Sequence, residues 1–330
     1  MTNNKAIGVS QRGDSSTLIS KNVSIPTFPT GHDILVEILG FDGAGVVSEV
    51  GPSASNLFKP GDEVFYSGST IRQGNNAEYQ FVDARSVGHK PANLSFAEAA
   101  ALPLTYITAY EALIERLGIR EGENASILIV NGAGGVGAAA CQVAKHVLKL
   151  PVVIATAGRP ETQQFSRDMG ATHIVNHRED IASQVKGLGL DLSYSGPHPL
   201  KYIFITHSTT PYLHPAAQLC VPFGKVCTIV QSKEMDKLYG TEFMAKSLTF
   251  VWALLGTKPY YGVDIESHGR ILEELRDLVE NGSIRSHLKM TLPLTLKGLK
   301  EGHEIVEGGG SIGKVVCDID SVGEGEEAFA

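Results

Sequence analysis

The segment from residue 126 to residue 142 decides the fold of this chain. It reads SILIVN (126–131), then GAGGVG (132–137), then AAACQ (138–142). An apolar, β-branched run, a glycine cluster and an alanine-rich continuation predict a strand, a tight turn and a helix in that order. This arrangement is typical of the loop that holds the pyrophosphate of a dinucleotide at a helix N-terminus.

The residues of this loop have separate expected roles. Gly132 is expected to permit the tight turn, Gly134 to let backbone N–H groups approach a pyrophosphate, and Gly137 to allow close helix–strand packing. Gly135 and Val136 complete the predicted binding loop. The motif by itself is weak, because an ordinary glycine turn between two core elements can have the same residues. The predicted strand before it and helix after it favour the binding site.

Two different patterns flank this segment. Roughly the first hundred residues contain short strands and turns with almost no helical periodicity, which predicts a β-rich domain. The sequence SFAE (95–98) is a capping box that opens a helix, and beyond it strands alternate with helices, as a doubly wound parallel sheet requires. The expected fold class is therefore α/β. The predicted strands of the parallel sheet are 126–131, 152–156, 173–175, 201–206, 225–230 and 248–254, and its helices are 136–148, 161–169 and 216–220.

The composition fits a globular protein with enough chain for two domains, with 330 residues of which 42% are hydrophobic and 19% charged. A formal net charge of −8 without a block of Lys or Arg excludes a basic surface for nucleic acid or an acidic membrane, so small molecules are the expected partners. No signal-peptide core or long apolar span is present, and a soluble, cytoplasmic protein is expected. The four cysteines form no Cys-x-x-Cys pair, which favours reduced, buried thiols.

Several motifs, spread over almost the whole chain, resemble one enzyme family. They are GFDGAGVV (40–47), NNAEY (75–79), LPLT (102–105), TAYEAL (108–113), NGAGGVG (131–137) and GKVV (313–316). In this order they resemble the quinone-reductase branch of the medium-chain dehydrogenase/reductase superfamily, and more closely the zinc-type alcohol dehydrogenase-like proteins.

The resemblance implies two domains and a reaction. It implies a GroES-like catalytic domain from residues 1–104 and 256–320, and a Rossmann domain from residues 105–255 that binds the cofactor. It also implies NAD(P)H-dependent reduction and a homodimer formed through edge strands of the Rossmann sheet. The Gly- and Glu-rich residues 321–330 are expected to be a disordered tail.

The end of the second strand of the sheet predicts which cofactor is preferred. In a Rossmann site, an Asp or Glu about 20 residues past the glycines would bind the ribose 2′-OH and select NAD. Here the strand ends ATAGR (155–159), without a carboxylate. Arg159 suits a 2′-phosphate and Gly158 lets that phosphate approach, which predicts NADPH. The alternative for Arg159 is a solvated loop charge.

The resemblance implies further contacts to the cofactor. Thr108 opens one of the motifs above, Asn176 and Arg178 lie in a segment similar to one that the family has beside the adenosine, and Lys314 resembles a late lysine near the cofactor. Asn176, Arg178 and Lys314 can equally be surface groups.

The ligands that zinc would need are missing from the sequence. Catalytic zinc takes three protein ligands, usually Cys, His or a carboxylate. Zinc-bearing relatives have Gly-His-Glu where this chain has GFD (40–42), and no cysteine precedes Cys141. His173 and His177 lie outside the predicted helices, so their spacing does not place both rings on one face. The sequence predicts no metal site.

Reduction of an activated acceptor fits this residue set better than metal-assisted alcohol oxidation. In a quinone or an enone a neighbouring carbonyl already polarises the acceptor, so the enzyme chiefly positions the nicotinamide hydride and admits a proton. The candidate proton donors are Tyr66, His207 and Tyr212, and His207 follows a predicted strand at the edge where α/β folds bind ligands. Core packing or a surface position is the alternative for each.

One departure from the family concerns the substrate cleft. Relatives have roughly two dozen residues between the first strand of the β domain and Gly-Phe-Asp, whereas here Ile38 is followed at once by LGF (39–41). That segment forms one wall of the cleft in the family. Its absence can open the cleft, widen the acceptor range or mark a truncated product, and cofactor binding is expected to survive more readily than turnover.

Three functions are therefore weighed. The first is a zinc-independent, NADPH-dependent reductase of quinones or activated carbonyl and enone compounds. The second is a trans-acting enoyl reductase or a tailoring oxidoreductase of secondary metabolism. The third is an NADP(H)-binding protein with little catalysis.

Overall fold

The computed structural model describes residues 2–9, 15–25, 31–37, 42–69, 71–72, 74, 76–232, 241–323 and 328. The chain forms two compact units, one from Met1–Ile107 with Gly256–Ala330 and one from Thr108–Leu255. The predicted boundaries fall after residues 104 and 255. The shortened connection at residues 38–41, the motif residue Asn75 and most of the predicted disordered tail lie outside the described residues.

Antiparallel strands dominate the N-terminal part of the first unit. Strands β1 and β2 form a hairpin, which the sequence did not predict, and five further strands form one sheet in the order β6-β3-β4-β5-β7. The central strand of this sheet is rich in small residues, and its first four residues are buried. The seven strands are β1 (Thr2–Val9), β2 (Leu18–Ile25), β3 (Asp33–Glu37), β4 (Asp42–Val50), β5 (Glu63–Ser67), β6 (Tyr79–Asp83) and β7 (Val87–His89).

The capping box predicted at residue 95 is confirmed. The hydroxyl oxygen of Ser95 accepts from the N–H of Glu98, whose carboxylate accepts from the N–H of Ser95, and helix α1 (Phe96–Ala100) begins there. Helix α2 (Pro103–Tyr110) follows, with proline at its first position, and continues in a π-helical segment (Glu111–Arg116). The sequence predicts a helical segment from about residue 106 to residue 117, and the structure begins it earlier, at Pro103.

The second unit is built on a six-stranded parallel sheet, which confirms the predicted α/β class. Its strand order is β10-β9-β8-β11-β12-β13. The first strand of this sheet along the chain, β8, is therefore central, and the later strands are added on both sides of it. Every residue of β8 and β9 is buried, because helices can cover both faces of such a sheet. The strands are β8 (Ser126–Val130), β9 (Val152–Thr156), β10 (His173–Val175), β11 (Leu200–Ile205), β12 (Lys225–Thr228) and β13 (Thr249–Trp252).

Two helices of this unit differ from the prediction. A short helix at residues 181–186 was not predicted, because only six residues carry its pattern. The helix expected around residues 216–220 begins at Thr210 instead and contains Pro215. The helices are α3 (Gly135–Gln142, continued by a π-helical segment Val143–Val147), α4 (Pro160–Asp168), α5 (Ile181–Lys186), α6 (Thr210–Leu219) and α7 (Thr241–Ala245).

The C-terminal part of the chain completes the first unit. Its long helix packs against β7, and its two strands pair in parallel. The elements are α8 (Thr257–Tyr261), α9 (Glu266–Glu280), β14 (Leu288–Pro293), α10 (Leu296–Glu307) and β15 (Lys314–Asp318). No helix among the described residues is long and apolar enough to cross a membrane.

Candidate functional site

The glycine loop lies between β8 and α3, as predicted, but its left-handed residue is not a glycine. Asn131 has a φ of 61°, whereas Gly132 has a negative φ. The loop is held from β9, because the N–H of Asn131 donates to Oγ1 of Thr156 at 2.8 Å and the N–H of Gly132 donates to the Thr156 carbonyl at 3.1 Å. The tight turn assigned to Gly132 is therefore made by Asn131, a residue type that tolerates this conformation.

The three glycines are needed because backbone and side chains approach them closely. A Cβ atom on Gly132 would lie 2.6 Å from Cβ of Ala155, and one on Gly134 would lie 2.6 Å from Nδ2 of Asn131. A Cβ on Gly137 would lie 2.0 Å from the Asn131 carbonyl oxygen. All three distances are shorter than a normal carbon contact; Gly137 meets backbone and Gly132 meets the short Ala155 side chain, so these two exclude a larger residue, whereas at Gly134 the Asn131 side chain would have to move. The close helix–strand packing predicted for Gly137 is present.

The loop fits an anion such as a pyrophosphate. Helix α3 begins at Gly135 after Gly134, whose extended backbone forms the N-cap without a side-chain cap. The N–H groups of the first turn, including those of Val136 and Gly137, carry the positive end of the helix dipole. A bound phosphate could satisfy N–H groups that no capping side chain uses.

The end of β9 bears a basic residue in place of the carboxylate that would select NAD. Arg159 is half-buried and forms the N-cap of α4, where its N–H donates to Oγ1 of Thr162 at 3.0 Å and its carbonyl accepts from the same hydroxyl at 2.8 Å. The backbone at this point is therefore fixed. Glu161 is exposed in the first turn of α4, where the helix dipole accounts for it.

The loop after β10 meets the end of β9 at Gly158. A Cβ on Gly158 would lie 3.1 Å from Nε of Arg178 and 3.1 Å from Cε1 and Nε2 of His177. Glycine at this position therefore lets two basic side chains pack closely against the end of β9, a contact that the sequence did not reveal. Asn176 shapes this loop, since its Oδ1 accepts from the N–H of Arg178 and its Nδ2 donates to Glu179.

The two candidate proton donors of the second unit lie after β11. His207 is exposed at the carboxyl end of that strand; burial, then Arg178, then His207 lower the pKa of His177. Tyr212 lies in α6 and packs against the core of the unit, and burial raises the pKa of its hydroxyl. Thr108 is buried in α2.

The third candidate donor, Tyr66, lies in the first unit. Its hydroxyl is fully buried and donates to Oε1 of Gln80 at 2.9 Å, and burial raises its pKa well above the ordinary value of 10.0. Both side chains line a cavity of about 240 Å³ with Pro259 and Ile265. A hydroxyl with so high a pKa is a weak acid, although it can still donate a hydrogen bond.

Lys314 also belongs to the first unit, where it forms an ion pair. Its Nζ lies 2.7 Å from Oδ2 of Asp42, which is buried, and Oδ1 of Asp42 accepts from the N–H of Leu104 at 2.7 Å. The pair joins motifs 272 residues apart in the chain. Lys314 and Tyr66 thus lie in the first unit, whereas Gly158, Arg159, Arg178 and His207 lie in the second.

The residues do not fit the zinc that the family's name implies. Within the described ranges, no group of three His, Cys, Asp or Glu side chains could hold a metal. Asp42 is already satisfied by a lysine and a backbone N–H, and Phe41 lies outside the described residues. Burial raises the pKa of the thiols of Cys141, Cys220 and Cys227 to about 12, as expected for buried, reduced cysteines.

Comparison with known proteins identifies the family of this chain. A family model described as zinc-binding dehydrogenase matches residues 135–266. A zinc-type alcohol dehydrogenase-like protein of Staphylococcus aureus is 38% identical over 292 residues, covering 86% of this chain and 82% of that protein. The chain belongs to the zinc-type alcohol dehydrogenase-like proteins of the medium-chain dehydrogenase/reductase superfamily. The predicted family is thereby confirmed, and so is the prediction that the chain is an oxidoreductase.

Other relatives in this superfamily extend the likeness. The human quinone oxidoreductase is 32% identical over 280 residues, covering 84% of this chain and 78% of that protein. A crystal structure of a putative zinc-dependent alcohol dehydrogenase from Rhizobium etli has a TM-score of 0.88 at 37% identity, with 96% of this chain and 98% of that chain covered. The Escherichia coli quinone oxidoreductase, crystallised with NADPH, has a TM-score of 0.76 at 22% identity and covers 95% and 99%. The predicted GroES-like and Rossmann folds are confirmed.

One relative also differs from this chain in the number of residues aligned. The alignment to the relative from Staphylococcus epidermidis, which is 35% identical, spans 348 positions, more than the 330 residues of this chain. That relative therefore contains residues that this chain lacks.

Proposed function

We propose that this chain is an NADPH-dependent reductase of quinones or related activated carbonyl and enone compounds, and that it works without zinc. The observation that carries the cofactor preference is the end of β9, where Gly158 and Arg159 occupy the place of an NAD-selecting carboxylate. Arg178 packs beside Gly158 and adds a second guanidinium. Two planar cations suit a phosphate ester better than a ribose hydroxyl.

The glycine loop would hold the pyrophosphate of the cofactor. Gly132 and Gly137 leave no room for a side chain, and no side chain caps the N–H groups of the first turn of α3. When bound, the nicotinamide would supply a hydride at its C4 atom. The protein's own residues would bind and orient the cofactor, because the acceptor's carbonyl already provides polarisation.

His207 is our first choice for the proton donor. It lies exposed at the carboxyl end of β11, the edge where parallel sheets bind ligands. The buried hydroxyl of Tyr66 has a raised pKa and is already bonded to Gln80, and Tyr212 packs into the core. Tyr212 is therefore the second candidate, as a hydrogen-bond donor to the acceptor's carbonyl.

We also propose a homodimer in which strand β13 of one copy pairs with that of another. β13 is an edge strand of the parallel sheet, and Trp252 on it is 40% exposed. An apolar edge strand is a surface that proteins commonly cover.

The function is tested by following NADPH absorbance with a small quinone, an enone and an enoyl thioester, alongside a titration of NADPH binding by fluorescence. We expect consumption with the quinone or the enone and saturable binding. Selective use of the thioester would favour the enoyl reductase. Binding without consumption across the panel would favour a cofactor-binding protein with little catalysis, and no binding would contradict all three functions.

A further inference from the structure

The second unit has a cavity at the edge of its parallel sheet opposite the glycine loop. The cavity has a volume of about 450 Å³ and lies before the amino ends of β8, β11 and β12. The glycine loop and His207 follow the carboxyl ends of the same sheet. Because the six residues of β11 span roughly 20 Å, this cavity is separate from the proposed cofactor site.

Two aromatic side chains line the cavity although solvent reaches both of them. Tyr194 is 61% exposed and Phe223 is 65% exposed. Their ring centroids are 6.3 Å apart and the ring planes meet at 65°. Two rings in this arrangement form a corner in which a third, planar ring can stack on one and direct its edge at the other. A ligand that covered this pair would gain apolar burial.

The backbone holds Phe223 in an unfavourable conformation. Its φ of 63° lies in the left-handed region, which bulky residues rarely adopt. The turn is fixed, because the N–H of Phe223 donates to the Lys246 carbonyl at 2.8 Å and the N–H of Gly224 donates to the Val221 carbonyl at 3.0 Å. Glycine would adopt the same turn without strain. The fold therefore does not require phenylalanine here, and a contact between its exposed ring and a ligand would account for it.

The charged groups that line the cavity cancel each other. Nζ of Lys201 lies 2.6 Å from Oε1 of Glu123, and the hydroxyl of Tyr202 donates to the same carboxylate at 2.9 Å. Burial raises the pKa of Glu123, but the hydrogen bonds from Lys201 and Tyr202 outweigh burial and lower it, so the carboxylate is ionised at neutral pH. The Lys201 side chain is 39% exposed and that of Glu123 21%, so the ammonium is the more accessible of the two.

We propose that this cavity binds an uncharged, planar aromatic molecule that carries a carbonyl oxygen. The ring would lie against Tyr194 and Phe223, and the oxygen would accept a hydrogen bond from Nζ of Lys201, since an ammonium has three N–H donors. An organic cation would be repelled by Lys201 and an organic anion by Glu123. The volume is within the range of small-molecule sites. The inference goes beyond the proposed function and does not depend on it.

The experiment is calorimetric titration of three naphthalene derivatives into the full chain at about pH 7. They are 2-naphthamide, which is neutral, 2-naphthoate, which is an anion, and 2-naphthylmethylamine, which is a cation. We expect 2-naphthamide to bind saturably to the wild type, and at least about fivefold more tightly than either charged compound, because the paired charges of the cavity favour neither ion. Tighter binding of an ion to the wild type would overturn the proposed ligand class.

Phe223→Gly separates binding from stability. The variant removes the ring and suits the left-handed backbone, so it should unfold at the same temperature as the wild type or a higher one. It should nevertheless weaken 2-naphthamide binding at least about tenfold, because stacking on an aromatic ring contributes strongly to affinity. Its binding of NADPH should equal that of the wild type. Unchanged binding of 2-naphthamide would overturn the proposal.

Lys201→Met tests the polar contact. The variant removes the donor and leaves Glu123 without its ammonium partner, so 2-naphthamide should bind at least about threefold more weakly. The preference should also reverse, with 2-naphthylmethylamine becoming the tightest of the three compounds. An unchanged order of affinities would contradict the role of Lys201.

A matched pair of tyrosine variants checks that the site is specific. Tyr194→Ala should weaken 2-naphthamide binding at least about fivefold, because one wall of the cavity is lost. Tyr261→Ala is the control, since Tyr261 is 71% exposed and forms another edge-to-face pair with Tyr260, but it does not line this cavity. It should leave binding unchanged. Equal losses in the two variants, or no saturable binding to the wild type, would overturn the proposal.

Discussion

Asn131 shows how a familiar motif can conceal the residue that shapes it. The glycine spacing predicted the loop, yet the positive φ belongs to Asn131 and the glycines are required by close contacts. Its carbonyl lies where a Cβ on Gly137 would be, and its amide lies where a Cβ on Gly134 would be. Asn131 thus contacts two of the three glycines, Gly137 through its backbone carbonyl and Gly134 through its side-chain amide.

The proposed preference for NADPH depends most directly on Arg159. We expect Arg159→Asp to weaken NADPH binding about 10- to 100-fold, since a charge-assisted hydrogen bond of roughly 1.5–3 kcal/mol is lost and a like charge is added. NADH binding should change by less than about threefold. The fold should be retained, because Asp is a favourable N-cap for α4. Fluorescence titration of both nucleotides measures the ratio.

Arg167→Asp provides a control with the same change in net charge. Arg167 is exposed in the same helix, about 12 Å further along its axis. An unchanged ratio of NADPH to NADH affinity in Arg159→Asp, or an equal change in Arg167→Asp, would contradict the assignment of Arg159.

Helix α9 and strand β7 pack so closely that glycines are needed on both. A Cβ on Gly88 of β7 would lie 2.6 Å from Cβ of Leu272, and a Cβ on Gly269 of α9 would lie 2.4 Å from the Arg85 carbonyl oxygen. The helix supplies buried Ile271, Leu272 and Leu275 to this contact region. The contact joins the N-terminal and C-terminal parts of the first unit.

The difference in packing predicts different effects for alanine at Gly269, in this contact, and at Gly302, outside it. Gly269→Ala should lower the free energy of unfolding by about 1–2 kcal/mol, because overpacking of about 1–3 kcal/mol exceeds the gain in helix propensity. Gly302→Ala, in α10, would place its Cβ 3.4 Å from Leu292 and should be neutral or up to about 1 kcal/mol stabilising. Urea unfolding measures both. Equal effects of the two substitutions would contradict the packing argument.

The sequence predicted local patterns better than contacts between distant segments. The bounds of β9 and β10 and the cap at Ser95 were predicted as found, because each depends on a few neighbouring residues. The pairing of β1 with β2 was missed, and so was the ion pair of Asp42 with Lys314. Tertiary pairing decides such features, and no local pattern records it.

The candidate site shows the same division. The sequence could identify the glycine loop, Arg159 and His207, because each follows a predicted strand. It could not predict that His177 lies against Gly158. That contact depends on β10 lying beside β9 in the sheet. The alternation of strands and helices fixes which strands are parallel, but it leaves their lateral order open.

The exposed edge of the parallel sheet predicts how many copies of the chain associate in solution. The N–H groups of Thr249 and Ala253 donate to the carbonyls of residues 224 and 228 at 3.0 Å, on the side of β13 that faces β12. Because N–H groups alternate along a strand, those of Phe250 and Trp252 point to the other side, where no described strand pairs with β13. Phe250 and Trp252 form an edge-to-face pair with ring centroids 5.3 Å apart, and Leu254 is 66% exposed beside them. Two copies related by a two-fold axis could join these edges and continue the sheet.

We therefore expect a dimer in sedimentation equilibrium. Trp252→Lys should weaken the association of the two copies at least about tenfold, because a lysine on an edge strand opposes strand pairing and the apolar area of the indole is lost. The matched control is Met244→Lys, which adds the same charge at a residue 84% exposed in α7 and should leave the dimer intact. A wild-type monomer would refute the homodimer. A dimer that Trp252→Lys leaves unchanged would show that the copies associate through a surface other than β13.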